Sequence, residues 1–161
     1  MRISSLLTTA AGVGSASAGI MHIAAASAPW KWSVTGWSAG CARDCYYDFN
    51  VTGDASSTSK PARPSFKAYC SGEGEGANYR ACTALEETET DYLVLAKLLP
   101  SNGTTNGTSH RPQIQVSVKF TDLESPSTWW NYTGKAVAAY NQFVGPVMNF
   151  TITPDTIYGV A

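Results

Sequence analysis

The feature that most constrains the fold is an alternation of period two. In "PQIQVSVKF", residues 112–120, Ile114, Val116, Val118 and Phe120 alternate with Gln113, Gln115, Ser117 and Lys119. Successive side chains of a strand leave on opposite faces, so this pattern is a strand with one buried face. The same parity puts Trp30, Trp32 and Val34 on one side of "WKWSVTGW". It sets Tyr47, Phe49 and Val51 against Asp48, Asn50 and Thr52, and Met148, Phe150 and Ile152 against Asn149, Thr151 and Thr153. One dry face per strand is the mark of antiparallel sheets. "DYLVLAKLLP", residues 91–100, is apolar on both parities and fits a central strand or a short helix. The brief acidic run before it and Pro100 after it favour the strand. Stretches rich in Gly, Ser and Pro separate these segments at loop length, with no internal repeat. The expectation is all-β: a single antiparallel sandwich or barrel of about 7–10 strands.

The first thirty residues carry one charge, Arg2, ahead of an apolar run diluted by Ser, Thr and Gly, with small-residue triplets at residues 16–18 and 24–26. Those are the parts of a secretory signal peptide, expected over residues 1–28 with cleavage within 18–28. A spanning helix needs about 20 strongly apolar residues, which this run does not supply. The remaining residues, 29–161, make one secreted domain with a real core. Of eleven Lys plus Arg, one is Arg2, against twelve Asp plus Glu. That slightly acidic balance argues against nucleic acid as an electrostatically held partner.

Four cysteines, Cys41, Cys45, Cys70 and Cys82, read as two disulfides of an oxidising compartment. C-x3-C followed by C-x11-C lacks the paired spacing of zinc ribbons and has no histidine nearby, so no metal and no cofactor is expected. Four cysteines allow three pairings. A hairpin turning near residues 57 and 58 would set Cys45 opposite Cys70, which favours Cys45–Cys70 with Cys41–Cys82. Asn-x-Thr occurs at Asn50, Asn102, Asn106, Asn131 and Asn149. Five sequons in so short a chain point to a glycoprotein. In strands, the Asn and Thr of a sequon share the solvent face while Val51 and Phe150 turn inward; plain outward polar residues would give the same orientation.

No catalytic set stands out. Past the leader the single histidine is His110, in a loop of Gly and Asn where a hydrolase or ribonuclease-like site would lack a rigid partner. Asp44 with Asp48, or Glu86, Glu87, Glu89 and Asp91, could be a glycosidase pair, but the run reads as a solvated turn. "GEGEG" lacks the lysine and helix of a phosphate loop. The aromatics of "STWWNYT" are different: Trp129, Trp130 and Tyr132 cannot all share one side of a strand, so an outward ring could stack on a sugar or anchor a protein. The competing assignment puts one tryptophan in the core and lets the other cover a loop.

"VTGWSAGCARDCYYDFNVTG", "PSFKAYCSGEG" with "YRAC", and "YNQFVGPVMNFTITPDTIYGVA" resemble small secreted fungal proteins of the Alternaria major-allergen-like group. The resemblance covers residues 30 to 161 and implies a compact disulfide-stapled β-barrel or sandwich without known enzymatic activity, several members being elicitors of plant defence. It carries over only Cys41, Cys45, Cys70 and Cys82, as disulfide cysteines. The expected function is therefore a non-enzymatic, effector- or elicitor-like binding protein at a host or cell surface. A carbohydrate- or cell-wall-binding module is the alternative and a secreted hydrolase the weaker one. The expected partner is a host protein or a cell-wall glycan, with no nucleic acid and no membrane once the leader is cut.

Overall fold

The computed structural model describes residues 20–21, 29–41, 43–88, 90–100, 112–141 and 145–161. These residues form two antiparallel sheets and no helix. In chain order the strands are β1 (Ile20–Met21), β2 (Trp32–Cys41), β3 (Cys45–Gly53), β4 (Phe66–Glu73), β5 (Arg80–Ala81), β6 (Thr83–Ala84), β7 (Tyr92–Leu98), β8 (Gln113–Thr121), β9 (Trp129–Val137), β10 (Met148–Ile152) and β11 (Pro154–Val160). The six-stranded sheet runs β1-β11-β9-β8-β7-β5 and the five-stranded sheet β10-β2-β3-β4-β6. Eight of the eleven have five or more residues, within the expected range, and the other three are two-residue edge pairings. "DYLVLAKLLP" holds the strand β7, buried on one parity only, at Val94, Ala96 and Leu98.

The dry faces meet in one core. Trp30, Trp32, Phe66, Phe120 and Tyr132 form a cluster with centroids 5.2–6.0 Å apart, edge-to-face except for the stacked pair Phe120–Tyr132. Trp37 packs against Tyr47, Phe49 and Phe150 at the other end. Offset and edge-on aromatic pairs of this kind add to the area they bury. Every inward residue read from β3 and β8 is buried, as are Trp30, Trp32 and Val34. Among the inward residues of β10, Ile152 is buried while Met148 and Phe150 are half-buried.

The disulfides are Cys41–Cys45 and Cys70–Cys82, which corrects the expected pairing. The β3–β4 register sets Phe49, not Cys45, opposite Cys70. The connection is not a tight turn. Its chain forms a Ser56–Arg63 bridge of its own, with the Ser59 hydroxyl donating to Ser56 and Pro61 carbonyls, so the ladder closes further along than the expected turn. Cys41 and Cys45 face one another across the β2–β3 turn. Two disulfides fit an oxidising compartment. Most of the expected leader lies outside the described residues; Ile20–Met21 pairs with Gly159 and Val160 at the sheet edge. Among the described residues no helix is long and apolar enough to cross a membrane.

Candidate binding face

The outward positions of the six-stranded sheet are set by its register. Lys97, Gln115 and Lys135 lie in one row across β7, β8 and β9. The next row is Leu95, Ser117, Thr133 and Thr156, the third Leu93, Lys119, Asn131 and Tyr158, and the last Thr121, Trp129 and Val160. Three of these positions are lysines, and no outward position of β5, β7, β8, β9 or β11 is Asp or Glu. Two exposed carboxylates border the face: Asp91, which continues the Thr121–Trp129 row and lines one groove with Lys119, and Asp155, in a bulge of β11, which accepts from the outward Thr156 hydroxyl.

The centre of this face is ordered by a chain of hydrogen bonds. Thr133 Oγ1 donates to Ser117 Oγ at 3.1 Å, Ser117 Oγ donates to Asn131 Oδ1 at 2.6 Å, and Asn131 Nδ2 donates to Tyr158 Oη at 2.6 Å. Ser117 is buried although it points away from the core, because this network closes over it. The Tyr158 ring stands edge-on to Trp129, with centroids 5.8 Å apart. Lys119 Nζ lies 4.1 Å from the Trp129 ring centre, and Lys97 Nζ lies 4.4 Å from that of Tyr79. Burial, and secondarily the neighbouring Tyr158 phenol, pushes the Tyr79 hydroxyl up. A ring quadrupole holds an ammonium over its face, so both lysines are placed rather than free-swinging.

The sequence-derived candidates separate here. Trp130 and Tyr132 point into the core, at 6% and 4% exposure, with Trp130 Nε1 donating to Asp122 Oδ2 at 2.8 Å. That removes both from a binding surface and leaves Trp129 outside. Of the sequons, Asn50 and Asn149 lie on the outer face of the other sheet and Asn131 in the network above, while Asn102 and Asn106 lie outside the described residues. His110 and Glu89 lie outside them too. Asp44 is exposed in the β2–β3 turn, whereas Asp48 is half-buried on the outer face of the five-stranded sheet, where burial pushes its carboxyl up. The two carboxylates thus occupy different surfaces. Glu86 pairs with Lys67 at 3.1 Å in solvent, Glu87 and Asp91 are exposed, and no helix follows "GEGEG". What the sequence reading missed was Lys97, Lys119, Lys135, Tyr79 and Tyr158; the parity of β8 and β9 places Lys119 and Lys135 outward, but only the strand order brings Tyr158 and Tyr79 beside them.

An open groove of about 850 Å³ at the end of the sandwich is lined by Arg43, Asp44, Glu73, Glu75, Tyr140 and the Cys41–Cys45 bridge. Tyr140 donates to Glu75 Oε1 at 2.8 Å, and burial together with that bond pushes its hydroxyl far up. Among the described residues no three of His, Cys, Asp and Glu gather as metal ligands. No family model, curated protein or solved structure matches the chain. The likeness to the Alternaria group therefore stands on the quoted residues alone.

Proposed function

We propose that the protein is a secreted, non-enzymatic, effector- or elicitor-like binding protein that meets its partner through the outer face of the six-stranded sheet. The observation that carries this reading is the Lys119–Trp129–Tyr158 cluster, held in place by hydrogen bonds running down to a buried serine. A surface already ordered loses little side-chain entropy on binding. The disulfides and the leader read at residues 1–28 support secretion. Trp129 keeps the glycan-binding alternative open on the same face.

Purified protein applied to plant tissue, beside a heat-denatured control, tests the elicitor part, and retention on cell-wall and plasma-membrane fractions tests the binding part. A response or retention lost in Trp129→Ala is expected. No response across several hosts counts against elicitation, and retention that Trp129→Ala and Tyr158→Ala both leave intact overturns the face.

A further inference from the structure

Resting on that reading of the face, we propose that its occupant is an acidic polysaccharide, a chain of sugar rings bearing carboxylates. The charge is the first argument. Lys97, Lys119 and Lys135 stand among hydroxyls, amides and rings on strands with no outward carboxylate, with Asp91 and Asp155 at the edges of the face, while the whole chain has a net charge of −1. Cations gathered on one face of a slightly acidic protein select an anion at that face.

The rings are the second argument. A neutral sugar would stack on the flat of Trp129 or Tyr79, but each flat carries a lysine ammonium, at 4.1 Å and 4.4 Å. An acidic sugar needs no such displacement. Its carboxylate takes the outward N–H bonds of the ammonium, a charge-assisted contact, while its ring lies against the aromatic edge and its hydroxyls meet Gln115 and Thr133.

Spacing is the third. Lys97 and Lys135 sit two strands apart, roughly 10 Å between backbones, and Lys119 lies four residues along β8 from Gln115 in their row, roughly 13 Å away. Three lysines spread this widely neutralise few phosphates, which leaves nucleic acid weakly held, whereas an extended polyuronate meets them with carboxylates on rings well separated along its chain.

The experiment is affinity electrophoresis and calorimetry of the intact secreted protein against polygalacturonate, heparin, a neutral β-glucan, chitin and a single-stranded oligonucleotide. The expected result is binding to polygalacturonate that weakens as salt rises from about 50 to about 500 mM. It should fall roughly tenfold or more in the triple variant Lys97→Gln, Lys119→Gln, Lys135→Gln and stay unchanged in Lys67→Gln on the opposite sheet. Near-ultraviolet dichroism of the triple variant establishes that it folds. Equal, salt-insensitive binding to neutral glucan or chitin that Trp129→Ala removes would overturn the acidic ligand and keep the face. Stronger binding to the oligonucleotide than to polygalacturonate would overturn the polysaccharide and keep the face, and binding to heparin with none to polygalacturonate would overturn the carboxylate as the recognised group. Binding that no variant of the face alters, or no binding to any probe, overturns the ligand class; the wall and membrane retention assays with Trp129→Ala then decide separately whether the face survives.

Discussion

Each buried tryptophan has a polar end that must be satisfied, and the four differ in how this is done. Trp30 Nε1 donates to the Asp54 carbonyl, Trp37 Nε1 to the Ala139 carbonyl and Trp130 Nε1 to Asp122, each at 2.8 Å. Trp32 Nε1 is buried with no acceptor, its ring packed edge-on against Trp30 and Phe66. Replacing either Trp32 or Trp37 by Phe removes the same volume from a fully buried site, so the difference between the two isolates the N–H. Trp37→Phe strips the Ala139 carbonyl of its partner, whereas Trp32→Phe deletes an unpaired donor. Trp37→Phe should therefore be the more costly by about 1–2 kcal/mol in urea unfolding; equal losses, or the reverse order, would show that packing alone sets both. Tyr47 gives the pH counterpart. Burial, partly offset by Arg80, pushes its hydroxyl up to about 12. A folded pKa above the unfolded one means that the native state keeps its proton longer, so stability is intact below pH 10.0 and falls as pH rises from there through about 12. Tyr47→Phe should flatten that loss in melts recorded across this window. An unaltered slope would assign the alkaline loss to other groups.

At the scale of the elements, the two disulfides do different work. Cys41–Cys45 closes a turn within one hairpin, between residues already paired in the ladder. Cys70–Cys82 ties β4 of one sheet to the segment joining β5 to β6, where the chain passes from the edge of one sheet to the edge of the other. Loop-closure entropy assigns about 3 kcal/mol to the longer loop and about 2 to the shorter. Removing Cys70 and Cys82 together, as alanines, should cost more than removing Cys41 and Cys45, and should loosen the β5–β6 segment in hydrogen exchange. Equal denaturation midpoints would contradict this division. Parity predicts which side of β3 and β8 is dry, because alternation is local to a strand. It does not say which strand lies beside which. Nor does it fix register: the Cys45–Cys70 expectation had the right neighbouring strands but failed because the folded loop between β3 and β4 shifted their alignment. The candidate face was half-hidden because strand order is not local: "STWWNYT" announces an outward ring, but Tyr158 reaches Trp129 and Asn131 only because β11 pairs with β9.

For the molecule as a whole, the two outer faces are unlike, and the sequons divide between them unevenly. The five-stranded sheet presents Ser, Thr, Tyr46, Tyr69 and a single lysine, Lys67, beside Asp48 and Glu73, with two sequons, Asn50 and Asn149. Asn149 is exposed, and its Oδ1 accepts from the Gly36 N–H at 3.1 Å, at a bulge where Gly36 takes a left-handed φ of 70°. Its amide nitrogen remains for a sugar. Asn131, on the other face, uses its oxygen for Ser117 and its nitrogen for Tyr158, both at 2.6 Å, in the middle of the lysine and aromatic grid. A glycan there would insert between Asn131 and Tyr158, expose the buried Ser117 hydroxyl and cover the face. The native protein should thus carry sugar at Asn149 with Asn131 bare. Enzymatic deglycosylation in heavy-oxygen water marks each formerly occupied asparagine by mass, and peptide mapping then reads both sites in one sample. Full occupancy of Asn131 in folded material would mean that the sugar, rather than the phenol of Tyr158, caps this network, and the six-stranded sheet would then be a shielded surface.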